Sequence, residues 1–161
     1  MYTDLPYIVA APAHPSLDGA IARFCDALRD ESRWFGERAG SATPLPSLIR
    51  RLGSGEPGLR LAAVHDGDIV GLARIDATAE HGPELLVAVV EPWRRHGIAS
   101  ALGRAIVGRA HAAGIERLVL RTSSRVGELR AVGEELGFRV VDLGGGRLDL
   151  LRTLAPLTQS A

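Results

Sequence analysis

Two periodicities alternate along this chain. Short apolar runs, the mark of strands, are separated by stretches whose apolar positions recur every three or four residues, the mark of amphipathic helices. Tyr7–Ala11 is the first apolar run, closed by Pro12 and Pro15. Ser16 is placed to cap a helix running to about Arg29, with Leu17, Ile21, Phe24, Cys25 and Leu28 along one stripe. The polar segment Asp30-Glu31-Ser32-Arg33-Trp34-Phe35 follows, then a Gly/Ser/Pro-rich passage to Pro46, a brief helix over Ser47–Leu52 and the loop Gly53–Gly58. Leu59–His65 and Ile69–Ala77 read as strands joined by Asp66-Gly67, a two-residue hairpin signal. His81-Gly82-Pro83 turns the chain into Glu84–Val90, an unbroken apolar run of the kind buried on both faces. A helix is predicted over Gly97–Ala113 and ended by Gly114. A strand at Glu116–Thr122, a helix at Arg125–Leu136, a strand around Val140-Val141, the glycine triplet Gly144–Gly146 and a strand at Arg147–Leu151 complete the chain. The predicted order is β-α-α-β-β-β-α-β-α-β-β, an α+β class with a mixed sheet.

Composition narrows what such a fold does. The chain has 161 residues, 46% of them apolar, with zero net charge, which suits one domain spanning residues 1–161. Residues 1–92 carry 8 arginines against 13 acidic residues, net −5; residues 93–161 carry 11 against 6, net +5. The basic half suits a polyanionic ligand, yet its arginines lack interleaved aromatic residues, so nucleic acid is not the expected partner. All 19 basic residues are arginine and none is lysine, as a GC-rich coding bias produces. The lone Cys25 excludes an internal disulfide and, on its apolar stripe, reads as a packing residue in a reducing, cytoplasmic protein. No apolar run is long enough to span a membrane, and the five histidines have no zinc-ligand spacing, so neither a membrane nor a metal is expected.

The most informative stretch runs from Glu84 to Ser100. A buried strand ends at the charged, proline-containing turn Glu91-Pro92-Trp93-Arg94-Arg95-His96, and Gly97-Ile98-Ala99-Ser100 opens a helix. The first turn of a helix has N–H groups without partners and the positive end of the dipole. With Arg94, Arg95 and His96 beside it and only small residues at Gly97 and Ala99, this junction suits a phosphate or pyrophosphate.

Arg94-x-x-Gly97-x-Ala99 after a strand resembles the Gln/Arg-x-x-Gly-x-Gly/Ala signature of the GCN5-related N-acetyltransferases, the GNAT family. The element order and the Leu136-Gly137-Phe138 step agree with that family, and the resemblance covers roughly residues 5–152. It implies a central, mostly antiparallel mixed sheet flanked by helices, and acetyl-CoA as cosubstrate. Arg94, Arg95, His96, Gly97, Ile98, Ala99 and Ser100 would hold the pyrophosphate, and the backbone of Val87, Ala88 and Val89 would meet the pantetheine arm and the thioester oxygen. The likeness is greatest to the catalytic domains of bacterial protein-lysine acetyltransferases. Asp30–Phe35 resembles their Pro-Glu-Ser-Arg-aromatic segment, and Glu84 with Glu91-Pro92-Trp93-Arg94 resembles their Glu-aromatic-Ala … Ala-Asp-x-Trp-Gln.

The likeness also assigns chemistry. Removing a proton from a lysine amine, ordinarily near pKa 10.4, calls for a general base. Glu84 is the candidate, with His81 and Glu91 in reserve. Two positions depart from the family. Val126 stands where many members have a pantetheine-contacting Asn, and Gly133 where many have a Tyr that protonates the leaving thiolate. Water, Ser123 or Ser124 would have to serve, or the thiolate leaves unassisted. Trp34 and Phe35 read either as packing residues or as a wall for an acceptor loop. The expected acceptor is a primary amine, preferably a protein lysine, with a small-molecule amine as the alternative and a non-catalytic CoA-binding module as the contrasting class. A homodimer is compatible with all three.

Overall fold

The structure, a computed structural model, describes residues 5–35, 45–79, 82–123, 127–145 and 147–154. Its elements are β1 (Tyr7–Ala10), α1 (Pro15–Phe35), α2 (Leu45–Leu52), β2 (Arg60–His65), β3 (Asp68–Asp76), β4 (Glu84–Val89), α3 (Ile98–Ala112), β5 (Arg117–Ser123), α4 (Gly127–Glu135), β6 (Arg139–Gly144) and β7 (Arg147–Thr153). A single 3₁₀ turn, Glu91–Trp93, separates β4 from α3. The order is the predicted one.

Two elements are longer than expected. α1 continues through Asp30-Glu31-Ser32-Arg33-Trp34-Phe35, a segment with no glycine or proline to stop it. Glu31 is then tied to the turn after β4, and that long-range contact was invisible in the local pattern. β6 extends to Gly144 because it pairs with β7 along its length, with an irregularity between Asp142 and Gly144.

The seven strands form one sheet in the order β1-β2-β3-β4-β5-β7-β6. Every neighbouring pair is antiparallel except β4 and β5. The β2–β3 hairpin turns on Asp66 (φ 49°) and Gly67 (φ 79°), both left-handed as a two-residue turn of matching twist requires.

The two faces of the sheet are distinguished by side-chain parity. Asp76 and Glu84, directly opposite each other on β3 and β4, reach Arg51 on α2. Gly71, five positions along β3 and therefore on the other face, lies under Ile98 and Leu102 of α3. α1 joins α2 through Cys25, whose thiol meets the Ile49 carbonyl, so α1 and α2 cover one face. α4 packs on α3 through Leu136 and Gly103, placing that pair on the other. Leu72, Leu102, Ile106, Leu118 and Leu150 are fully enclosed between these layers.

Candidate active site

The site follows from a failure of pairing. β4 and β5 share a single register contact, Glu84 with Val119, and Val119 N–H donates to Pro83 O at 3.0 Å. Beyond it β4 pairs only with β3, and Leu120–Ser123 of β5 only with β7. The parallel strands therefore diverge into a wedge, with Glu84 at its closed end.

Strand geometry fixes which main-chain groups face that wedge. Val90 N–H donates to Val70 O across the β3 side at 3.0 Å. Directions alternate along a strand, so the N–H groups of Val87 and Val89 point away from β3, toward the wedge. Ala88, grouped with them in the sequence reading, has its N–H turned to β3 and offers the wedge no donor.

The turn at the open end is shaped by its backbone. Arg94 is extended, Arg95 has φ 64° and Gly97 has φ 76°, the last residue before α3. Gly97 makes no side-chain cap, so the N–H groups of Ile98, Ala99 and Ser100 gain no side-chain partner there, while Gly97 O accepts from Ala101 N–H. Left-handed residues just before an uncapped helix start make a concavity of donors suited to an anion. These groups fit the pyrophosphate of CoA.

The side chains of the turn do other work. Arg94 folds back so that Nε donates to Val89 O at 2.9 Å and Nη2 meets Glu31 Oε2 at 2.7 Å. The other Glu31 oxygen accepts Glu91 N–H at 2.6 Å. Arg94 thus braces the turn against α1 and β4. His96 bonds the Arg94 carbonyl at 2.7 Å and lies near Trp93, which is also against His65. Ser100 Oγ donates to Glu135 Oε2 at 3.0 Å, leaving its main-chain N–H as its offering to a phosphate. Arg95 is exposed.

At the closed end Glu84 is only 3% exposed. Arg51 Nη2 pairs with its Oε2 and also lies 2.8 Å from Asp76 Oδ2. Asp76 is further held by Thr78 N–H and Oγ1. Burial works to lower the Arg51 pKa, but the hydrogen bonds it donates to Glu84 and Asp76, reinforced by their charges, outweigh it and hold the guanidinium above its ordinary value. Burial likewise works to raise Asp76, and the Thr78 and Arg51 hydrogen bonds reverse it, leaving the carboxyl below its ordinary value. The sequence reading named Glu84 and missed Arg51 and Asp76. The available signal was the placing of Asp76 and Glu84 at equal distances either side of position 80, which sets them opposite each other if β3 and β4 form a hairpin centred there.

The departures from the family pattern have a structural side. A Cβ at Gly133 would overlap Leu150 Cδ2 and come within 3.1 Å of Leu120 Cδ2, so those leucines occupy the space any side chain there would need. His81, Ser124 and Val126 lie outside the described residues, as do the side chains of Trp34, Phe35 and Ser123. Among the described residues there is no cluster fit for a metal and no helix long and apolar enough to cross a membrane.

Comparison with known proteins agrees with this geometry. The family model "Acetyltransferase (GNAT) family" matches residues 22–138. Among solved structures, the GNAT domain of PAT from S. lividans superposes with a TM-score of 0.73 at 19% identity, covering 92% of this chain and 90% of that one. A phosphinothricin acetyltransferase from Sinorhizobium meliloti, in complex with AcCoA, gives 0.69 at 18%, covering 94% and 89%. A ribosomal-protein-alanine N-acetyltransferase from Brucella melitensis gives 0.68 at 18%, covering 92% and 99%. No curated protein matches by sequence. The chain belongs to the GNAT family of acetyltransferases. It is an N-acetyltransferase that uses acetyl-CoA, acting on an amine acceptor.

Proposed function

We propose that this acetyltransferase delivers its acetyl group directly to a primary amine, with a protein lysine as the preferred acceptor. The wedge between β4 and β5, flanked by the uncapped start of α3, carries the reading. Acetyl-CoA, when bound, supplies the activated thioester. The N–H groups of Ile98, Ala99 and Ser100, with Arg95 and Gly97 shaping the turn, hold its pyrophosphate. Val87 and Val89 N–H groups, aimed into the wedge, stabilise the negative charge that develops on the thioester oxygen. Glu84, at the closed end, accepts a proton from the substrate ammonium and so frees the amine that attacks. Nothing at Gly133 protonates the leaving thiolate, so it departs to solvent.

Support for lysine comes from the Glu84 and Asp30–Phe35 likenesses to protein-lysine acetyltransferases. Structural neighbours name a ribosomal-protein alanine and phosphinothricin, neither of them a lysine side chain, so a small amine is the second reading. Calorimetry with acetyl-CoA, followed by free-thiol release with a lysine peptide, an N-terminal alanine peptide and spermidine, decides between them. Thiol release with the lysine peptide alone is expected. Release confined to spermidine would transfer the assignment to small amines, and no acetyl-CoA binding would remove the wedge reading altogether.

A further inference from the structure

We infer that Arg51, itself held by Asp76, is the positioning residue that keeps Glu84 aimed for proton transfer. This rests on the reading of Glu84 as the proton acceptor. Glu84 is enclosed, and an enclosed carboxylate stays charged only when a partner compensates the lost hydration. Arg51 supplies that partner at one oxygen only, Oε2, and Oε1 has no hydrogen-bond partner among the described residues. One oxygen is thereby fixed and the other left to receive a proton. In the step, an N–H bond of the ammonium breaks and its proton bonds to Oε1; the freed nitrogen lone pair bonds the thioester carbon, the C–S bond breaks with its electron pair leaving on the CoA sulfur, and the nitrogen's second proton passes to that thiolate or to solvent.

Asp76 gives the arrangement its direction. Without a cation, Asp76 and Glu84 would be like charges directly opposite across two strands. With Arg51 between them the trio has a net charge of −1, and Arg51 Nε donates to Asp76 Oδ2 at 2.8 Å, fixing the rotamer that presents Nη2 to Glu84. Other charged groups share this face. Arg74 on β3 is committed to the Ser54 and Glu56 carbonyls. On β5, Arg117 and Arg121 flank Val119, and Arg121 lies 3.9 Å from Asp149 of β7. Among the described residues, only Arg51 is bonded to Glu84.

The test is the pH dependence of thiol release with an acetylated Gly-Lys-Gly amide, together with a ¹³C carboxyl titration of Glu84, in wild type, Arg51→Gln, Arg51→Lys and Glu84→Gln. Arg51→Gln is expected to move the acid limb of kcat/KM, and the Glu84 midpoint with it, upward. Acetyl-CoA affinity should stay within about twofold, since Arg51 is remote from the α3 turn, and Arg51→Lys should restore most of the shift. An unmoved Glu84 midpoint in Arg51→Gln overturns the inference even if no acceptor has been found. Should that protein not fold, Arg51→Lys carries the test, because an ammonium cannot hold both carboxylates with Arg51's fixed fork. There a kcat below wild type is expected, and a wild-type kcat overturns it equally. A full rate in Glu84→Gln removes the base assignment instead, which separates that failure from one confined to Arg51.

Discussion

The two faces of the sheet solve burial by opposite means. Under α1 and α2 lie all three buried charged side chains of the described residues, Arg60, Arg74 and Glu84. They occur in two cross-strand pairs of like charge, Arg60 opposite Arg74 and Asp76 opposite Glu84. The acidic pair is reconciled by one cation, Arg51. The basic pair is reconciled by carbonyl dipoles: Arg60 donates to Ala11, Leu52 and Ser54, and Arg74 to Ser54 and Glu56. Under α3 and α4 there is no such buried network among the described residues, and glycines admit leucines instead, Gly71 under Leu102, Gly103 under Leu136 and Gly133 under Leu150. One face is specified by electrostatics and the other by volume. The proposed proton chemistry sits on the first.

The contrast is broken most severely at Arg60. Burial, then the neighbouring charge of Arg74, push this guanidinium below its ordinary pKa, and it persists because carbonyls from three segments point at it. Arg60→Met would remove this donor from the Ala11 and Leu52 carbonyls beneath the sheet face, while the Ser54 carbonyl keeps Arg74. A loss of about 4 kcal/mol is expected in urea unfolding. A loss under about 1 kcal/mol would show that the carbonyls rehydrate and that this face is not held by charge.

Gly133 tests the other face. An added methyl has no space against Leu150 and Leu120, so Gly133→Ala should lose about 2 kcal/mol by overpacking although alanine favours a helix. Pairing it with Leu150→Ala should recover part of that loss in a double-mutant cycle. The same crowding predicts that Gly133→Tyr will not raise the rate of thiol release, because the phenol has no room to enter from this helix.

How much of this was readable beforehand divides along the same line. The face specified by volume follows local rules: strand runs, the Asp66-Gly67 turn and the α3 stripe predicted its elements within a residue or two. Gly133 could be read as a missing tyrosine, but not as a packing site, because its neighbours come from β5 and β7. The charged face was much less legible. Arg51, Arg60 and Arg74 look like ordinary surface residues in sequence, and only strand register brings Arg60 to Arg74 and Asp76 to Glu84. Arg94 illustrates the limit well. Its motif marked the right turn, yet its side chain bonds Val89 O and Glu31, a partner far away in sequence whose position depends on α1 running past Arg29.

The smallest effect sharpens the comparison by isolating one member of the acidic pair. The Asp76 carboxyl is held below its ordinary pKa in the folded protein, burial being outweighed by Thr78 and Arg51. A depressed folded-state value means that the unfolded chain binds the proton more readily. Its stabilising contribution is therefore complete above the unfolded value of about 3.9 and is lost as pH falls through the lower folded value. Asp76→Asn carries no such term. Stability measured by urea at pH 6 and again near pH 3 should show the gap between wild type and Asp76→Asn shrinking on acidification, by about 1 kcal/mol or less. A constant gap would mean that Asp76 acts through shape alone, and a widening one would reverse the sign. A constant gap would leave Glu84 as the only member of that acidic pair whose charge could matter to this face.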